Sequence, residues 1–579
     1  MGVLYTSYKM INQQVAQALS TIADYLEMDP ETNPFRIRAY RKAALVIGNH
    51  PTPVDKLNLV ELKALPGVGE AIAEKIHEYV TTGKIKYLED LKKQIPVDIE
   101  GLTKISGIGP KTVKRLYFEL GVKNVKDLER VAKAGKLAKL PGFGQRSQER
   151  ILESLRFVIL DENKRVRLDQ ALAVADEYLA YLKKEDPSIA KLTYAGSLRR
   201  RLETIGDIDL LVVSALPKRT IKVFVSYPQV VKVLGQGETK ASVWLKDKIQ
   251  VDLRVVKNSS FGSALQYFTG SKNHGIHLRK IALSKGFKLN EYGLFLKAGL
   301  RYKKVAGQDE KEIYRLLVGR YIEPELREDE GEIELALSDK LPQLVELADI
   351  KGDLHTHTHF SDGVLAPEEL IKAALARGYK YLGISDHLGH LAVAKAIEVN
   401  EFGQYLKTLK HLQTKYQGQI KILIGGEVNI KPSGKLDFPQ RLLKKLDYVI
   451  ASVHSSFYQD EKTATERMIY AINHPLVTII GHPTGRLLGE REGLKFNAKK
   501  VFSAASDAQV AFEINAHPAR LDLSWQLARL AKSYGVKFSI NTDAHSAEDL
   551  DLIKYGVWQA RKAGLEKKDL FFPNTSSNK

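Results

Sequence analysis

Gly196-Ser197-Leu198-Arg199-Arg200-Arg201-Leu202-Glu203-Thr204-Ile205-Gly206-Asp207-Ile208-Asp209-Leu210-Leu211-Val212-Val213 joins a glycine-led turn, three arginines and two aspartates to an apolar run. Along a strand, residues i and i+2 face the same side, so Asp207 and Asp209 project together at the start of the run Leu210 to Val213. Two carboxylates that close repel each other unless a cation joins them. Oxygen-only ligation suits Mg²⁺ or Mn²⁺, and a pair of such ions can activate an attacking hydroxyl while stabilising a leaving pyrophosphate. The stretch therefore predicts a nucleotidyl-transfer centre, although a lone Asp-x-Asp is more often an exposed acidic turn before a core strand.

The rest of the chain bears on that choice. A length of 579 residues exceeds what one core sustains, so three or more domains are expected. The formal net charge is +19, and residues 326–579 hold 33 Lys+Arg against 32 Asp+Glu, so the surplus lies almost wholly in the first part. That asymmetry points to a polyanionic partner for the N-terminal part and an appended domain of different chemistry. The chain has no cysteine, which excludes disulfides, thiolate metal sites and cysteine nucleophiles and fits a cytoplasmic protein. No apolar run is long enough to span a membrane, and no membrane partner is expected. The start Met1-Gly2-Val3-Leu4-Tyr5-Thr6 matches a loose myristoylation pattern, read here as coincidence.

Residues 1–160 carry a threefold echo: Leu65-Pro66-Gly67-Val68-Gly69, Ile105-Ser106-Gly107-Ile108-Gly109 and Leu140-Pro141-Gly142-Phe143-Gly144, each followed by an amphipathic helical pattern. These resemble helix-hairpin-helix motifs. Gly67 and Gly69, Gly107 and Gly109, and Gly142 and Gly144 would let the backbone turn tightly and aim the next helix's N–H groups at a DNA phosphate, without reading sequence. The text around Arg38-Ala39-Tyr40-Arg41 and Gly69-Glu70-Ala71-Ile72-Ala73-Glu74-Lys75 resembles the small lyase domain of beta-like DNA polymerases. In that family the lysine matching Lys75 attacks the sugar aldehyde of an incised abasic site. Ala71 stands where the family often has a phosphate-binding lysine, so gap binding, with a 5′-phosphate on Arg36, Arg38, Tyr40 and Lys75, is favoured over efficient lyase chemistry.

The opening stretch itself, read as Gly196-Ser197-x-Arg-Arg200 followed by Gly206-Asp207-Ile208-Asp209, resembles the palm signature of family X DNA polymerases. The resemblance implies a third carboxylate, and Ile249-Gln250-Val251-Asp252-Leu253-Arg254 provides Asp252 on an alternating strand. It further implies that Gly196, Ser197, Arg200 and Gly206 hold a triphosphate, and that Arg254 supports the carboxylates. Tyr267-Phe268-Thr269-Gly270-Ser271 resembles the family's nucleotide-pocket turn, with Tyr267, Phe268 and Gly270 excluding a 2′-hydroxyl, and Arg279 matches its minor-groove arginine. Gly275 stands where members commonly place a base-contacting asparagine. The partners implied are gapped or primed double-stranded DNA and dNTPs, with Mg²⁺ or Mn²⁺ as the cofactor.

Beyond Glu323-Pro324-Glu325-Leu326-Arg327-Glu328-Asp329-Glu330, which reads as a solvated linker, apolar runs repeatedly end in ligand-type residues. Seven such runs alternating with helices predict a parallel barrel, whose sites lie at the C-terminal ends of strands. The pattern resembles the PHP (polymerase and histidinol phosphatase) domain. The resemblance implies a ligand set of His355, His357, Asp362, His387, Glu427, His454, His482, Asp543 and His545, holding up to three Mn²⁺, Zn²⁺ or Fe²⁺ ions. Clustered divalent ions make phosphodiester hydrolysis the natural reaction. Arg486 and Arg520 are candidate phosphate contacts; His359 has no role in the family pattern.

The expected fold is multidomain α+β and α/β. It comprises a lyase-like helical domain at 1–95, a helix-hairpin-helix domain at 96–160, a nucleotidyltransferase palm at 161–260 and a thumb at 261–322. A linker at 323–348 then leads to a PHP-type distorted (β/α)7 barrel at 349–579. As a whole the chain resembles a monomeric bacterial-type family X DNA polymerase with a C-terminal PHP domain. That implies short-gap repair synthesis with 3′-5′ exonuclease and abasic-site endonuclease activity. The alternative is a PHP phosphoesterase whose N-terminal half only docks DNA.

Overall fold

The computed structural model describes residues 3–29, 31–48, 54–65, 67–103, 108–140, 143–144, 148, 151–152, 165–246, 249–299, 301–390 and 395–572. Its Cα framework divides into two compact units, Met1–Lys164 and Arg165–Lys579. Among the described residues no helix is long and apolar enough to cross a membrane.

The first unit is helical. Val3–Met28 packs along Pro34–Gly48, and Glu70–Thr82 and Pro110–Leu120 bury Ile72, Ala73, Ile76, Val113 and Leu116 in the same core as Leu19, Ile22 and Ile47. Glu70–Thr82 starts at Gly69 and Pro110–Leu120 at Gly109; both N-caps are extended glycines without a side-chain cap. Gly67 turns with φ +86°, a conformation that favours glycine in this hairpin. Gly107, Gly142 and the Met1-Gly2 start lie outside the described residues.

The second unit begins with a five-stranded palm sheet in the order Ile189–Tyr194, Asp207–Ser214, Gln250–Val256, Lys240–Leu245, Val230–Gln236. The middle pair is parallel, and its register sets Asp209 opposite Asp252. Helices Leu168–Glu185 and Pro217–Val225 cover one face, where Tyr178 stacks on Phe224 and Tyr227 at 5.0 and 4.1 Å. Helices Phe261–Thr269 and Lys272–Ser284 lead into a three-stranded antiparallel sheet, Phe287–Asn290, Gly293–Ala298 and Arg301–Ala306, and then helix Glu310–Val318.

The C-terminal part is a barrel of parallel strands. Gly352–Asp353, Tyr381–Ile384 and Lys421–Ile424 form one group. His387–Leu388, Glu427–Asn429, Ile450–Ser452, Ile479–Gly481, Ala511–Asn515 and Phe538–Asn541 form the other. The second and third runs break after Ile384 and Ile424 and resume at His387 and Glu427, so seven strand positions make two sheets. A parallel bridge from Thr356 to Ala544 joins the first position to the seventh.

The segment from Glu323 to Glu332 is not the solvated linker its composition suggests. Glu325, Leu326, Arg327 and Glu332 are buried, Arg327 completely. Its charges serve internal pairs: Arg327 Nη1 meets Glu310 at 2.5 Å, Glu332 meets His274 Nδ1 at 2.6 Å, and Glu325 meets Arg561 at 2.7 Å. Glu310 also takes both Nη atoms of Arg199 at 2.7 and 2.9 Å. Burial alone would raise the Glu310 carboxyl, but Arg327 and Arg199 outweigh it and bring it from 4.5 down to about 2. Its stabilising contribution is therefore present above about 4.5 and is lost only as pH falls towards about 2. Replacing Glu310 by Gln leaves two desolvated guanidiniums facing a neutral amide and should cost ~3–5 kcal/mol of stability. Urea unfolding checks this, with the exposed pair Lys92–Glu89 as the comparison that Glu89→Gln should barely affect.

Candidate active sites

In the palm, the Ala195 N–H donates to the Asp209 carbonyl at 2.8 Å, which ties the turn to the strand it precedes. Gly196 follows with φ +58°, and a Cβ there would overlap the Asp209 carboxylate. Glycine is thus what allows the backbone and the acid to meet. The Ser197 hydroxyl is buried with no hydrogen-bond partner, a donor aimed at nothing the described chain supplies. Asp207, Asp209 and Asp252 share one side of the parallel pair, and Gln250 Nε2 donates to both Asp252 oxygens at 3.0 and 3.2 Å. Burial first, then Asp207 and Asp252, pushes Asp209 up to about 7. Burial and Asp252 raise Asp207. Three carboxylates held against their own repulsion, with only oxygen donors, fit Mg²⁺ or Mn²⁺.

Around this triad the aromatic turn and the arginines interleave. Arg254 lies over the Phe268 ring at 5.2 Å, Phe268 meets Tyr267 edge-on at 5.2 Å, and Arg279 lies over Tyr267 at 5.8 Å. Tyr267 is 43% exposed, so the stack presents an open face. Arg200 donates through Nε to Glu328 at 3.0 Å and through Nη1 to the Thr269 carbonyl. A Cβ on Gly270 (φ +67°) would come within 3.2 Å of that Nη1, so glycine there admits the guanidinium. Gly206 is exposed immediately before Asp207. Gly275 is buried on the following helix, one turn before Arg279.

In the first unit, Arg36 donates to the Tyr87 hydroxyl at 2.9 Å and lies over its ring at 5.3 Å, and Lys75 Nζ lies over the same ring at 5.1 Å. Tyr40 is buried beside them, while Arg38 is exposed over Phe35 at 4.9 Å. Two cations thus gather around one aromatic ring. Lys75 Nζ also donates to the Ala71 carbonyl at 3.1 Å.

At the C-terminal mouth of the barrel the nine side chains converge. His357, Asp362, His387 and His545 form one group whose ligand atoms lie within 4.8 Å of one another; His355, His357 and Asp543 form a second, and His387, Glu427 and His454 a third. Glu427 lies at the centre, fully buried, with His387 at 2.7 Å, His482 at 2.9 Å, and His355 and His454 each at 3.3 Å. Both Glu427 carboxylate oxygens, His355 Nε2, His387 Nδ1, His454 Nδ1 and His482 Nδ1 are buried without a hydrogen-bond partner. Such a set of orphaned lone pairs fits bound cations, and its mixed nitrogen and oxygen character suits Mn²⁺, Zn²⁺ or Fe²⁺. His482 (φ +24°) and Asp543 (φ +58°) hold backbone conformations that non-glycine residues rarely adopt, strain stored at the site itself. His359 is exposed and stacks on Phe360 at 5.0 Å, away from the cluster.

Several residues here carry functions that residue spacing alone does not signal. Glu513 takes His355 Nδ1 at 2.7 Å, the His482 N–H at 2.6 Å and Asn541 Nδ2 at 2.9 Å. It lies mid-strand, two residues short of the strand end, and so reads as a core position despite its charge. Asp386 gathers the Thr358 N–H and the Thr358 and Ser361 hydroxyls at 2.6–2.7 Å, shaping the loop that bears Asp362. Arg486 is not a free phosphate contact: it pairs with Glu203 of the palm at 2.8 Å and donates to the Arg520 and Leu521 carbonyls. The palm offers a charged partner, which the barrel sequence alone cannot reveal. Arg520 stays near the cluster, its Nε 3.8 Å from Asp543.

Comparison with known proteins agrees with this layout. A helix-hairpin-helix domain model matches residues 10–85, and a SAM-like helix-hairpin-helix tandem matches 59–121 and 99–156. The DNA polymerase beta thumb matches 264–328 and the PHP domain 353–517. The chain is 36% identical over 563 residues to the DNA polymerase/3′-5′ exonuclease PolX of Bacillus subtilis (strain 168), covering 97% of each. The chain belongs to the PolX family. Partial likenesses follow the same division. A probable phosphatase of Thermoanaerobacter sp. (strain X514) is 31% identical over 37% of the chain and 86% of its own length, and DNA polymerase lambda of Rattus norvegicus is 24% identical over 55% and 56%. In this PolX chain Glu513 orients His355 without belonging to the convergent nine. Glu513→Gln should weaken Mn²⁺ binding at the barrel about 10–100-fold by calorimetric titration. Unchanged affinity would show that His355 needs no such support.

Proposed function

We propose that this chain is a DNA-directed DNA polymerase that fills short gaps during DNA repair, and that its barrel removes nucleotides from 3′ ends. The observation that carries the polymerase reading is the register of Asp209 against Asp252 beneath a turn whose Ser197 hydroxyl lacks a partner. Asp207, Asp209 and Asp252 would hold two Mg²⁺ or Mn²⁺ ions, which supply Lewis-acid activation of the primer hydroxyl and charge neutralisation on the leaving pyrophosphate. The chain's own groups do the positioning. Ser197 and Arg200 orient the triphosphate, the Gly206 backbone lines its path, and Asp252 accepts hydrogen bonds near the primer end. Tyr267 and Phe268, with the Gly270 turn, press against the sugar and disfavour a 2′-hydroxyl. Arg254 steadies the carboxylates while Arg279 reaches the duplex minor groove.

DNA is held without sequence reading by the uncapped helix starts at Gly69 and Gly109 and by Gly67 and Gly144, and the sequence repeats that carry Gly107 and Gly142 are assigned the same role. A 5′-phosphate at the gap would sit on Arg36, Arg38, Tyr40 and Lys75. For the barrel, His355, His357, Asp362, His387, Glu427, His454, His482, Asp543 and His545 would bind up to three ions, with Glu427 central to the set. Their chemistry is hydrolysis of a phosphodiester, applied to 3′ ends and to abasic sites.

A one-nucleotide-gap substrate, assayed in Mg²⁺ and in Mn²⁺ with and without dNTPs, separates the two chemistries. Asp207→Ala with Asp209→Ala should cut gap filling more than about a hundredfold and leave 3′ degradation intact. His355→Ala with His357→Ala should do the reverse and lower the bound metal. Wild-type protein that degrades DNA but never adds the complementary nucleotide would reduce the palm to a docking module.

A further inference from the structure

Glu328 and Lys562 belong to neither ligand set, yet both contact Arg200 of the palm turn. Lys562, at the end of the barrel helix Ile553–Lys562, has a completely buried side chain. Its Nζ meets Glu328 Oε1 at 2.6 Å and the carbonyls of Glu325 and Arg200 at 3.2 and 3.4 Å. The same Glu328 oxygen accepts Arg200 Nε at 3.0 Å. One carboxylate oxygen is therefore shared between a barrel ammonium and a palm guanidinium. Arg200 Nη1 is taken by the Thr269 carbonyl, and among the described residues no partner takes Nη2. The guanidinium is held through Nε and Nη1, which leaves the Nη2 donors for a ligand.

We propose that Lys562 and Glu328 are positioning residues for Arg200, so that the barrel sets how strongly the palm grips the triphosphate of an incoming nucleotide. This rests on the reading of Arg200 as a triphosphate contact. A carboxylate beside Arg200 fixes its orientation, but that carboxylate also competes with the triphosphate for the guanidinium charge. Lys562 offsets the competition by drawing on the same oxygen. Without Lys562 the full charge of Glu328 falls on Arg200, which then offers less to a phosphate. Burying an ammonium this completely is costly unless it is paired, and the pairing here reaches the nucleotide turn.

The test measures gap filling and 3′ degradation on the full chain, at varied dNTP concentration. Lys562→Met should raise KM for dNTP about tenfold, keep kcat within about twofold, and leave 3′ degradation unchanged. Adding Glu328→Gln to Lys562→Met removes the competing charge together with its partner and should return KM towards the wild-type value. A merely structural lysine would not allow that rescue, because the double variant loses both ends of the contact. An unchanged KM in Lys562→Met, or a double variant no better than the single one, overturns the proposal. Arg200→Ala is measured alongside: an unchanged dNTP KM there sinks the nucleotide role of Arg200, and the proposal with it. A raised KM in Arg200→Ala without one in Lys562→Met refutes only the positioning role.

Discussion

Glu310 is desolvated between two guanidiniums, Arg199 from the palm turn and Arg327 from the segment that leads to the barrel. A carboxylate so placed cannot lose either partner without leaving charge uncompensated in a low-dielectric interior. The consequence reaches well beyond the pair. Arg199 sits between Ser197 and Arg200, so fixing it fixes the turn that faces Asp209. Arg327 precedes Glu328, so fixing it brings that carboxylate to Arg200 and Lys562. Tyr321 donates to Glu310 at 2.8 Å, and Tyr314 and Tyr321 flank Arg327 with their rings at 4.6 and 5.2 Å, completing a wall around the charges.

The two candidate sites solve different problems with different materials. The palm triad uses oxygen alone and opens towards Gly206 and Tyr267, which are exposed. The barrel site is a nitrogen-rich basin: His355, His357 and Glu427 are wholly buried, and His545 and Asp362 lie at its more accessible rim. Hard oxygen donors favour Mg²⁺-type ions that keep part of their hydration, whereas imidazole holds transition ions more tightly. Two chemistries on DNA ends, one adding and one removing, thus need not compete for the same ion.

The seven apolar runs ending in polar, ligand-type residues foretold a parallel barrel because the strand-end rule places ligands and strands together in one pattern. The palm triad was equally legible, since strand parity links Asp207 to Asp209 and an alternating strand carries Asp252. Residues whose role depends on distant partners escaped. Glu513 is spaced like a core residue; only the fold sets His355 and the His482 N–H against it. The segment at 323–332 has the composition of a solvated linker, yet Glu325, Arg327 and Glu332 are buried because partners from palm, thumb and barrel meet them there. Charge density along a chain cannot distinguish solvation from internal pairing; the distribution of opposite charges in space decides it.

The three consecutive arginines of the palm turn show what that pairing accomplishes. From sequence they form one basic cluster, of which Arg200 is the expected triphosphate contact. In the fold they part company: Arg199 runs to Glu310, Arg200 to Glu328 and Thr269, and Arg201 lies 4.0 Å above the Trp558 ring of the barrel, with Tyr194 on its other contact at 5.3 Å. Glu203, two residues on, is held by Arg486 and by Gln559 at 2.5 Å, both from the barrel. Leu521 and Tyr555 of the barrel are buried within the palm's own apolar cluster. The turn is therefore suspended from thumb, segment and barrel at once, and a glycine at 196 alone gives its backbone access to Asp209. A turn held from so many sides loses little freedom when a ligand arrives, so less of the binding free energy goes into ordering it.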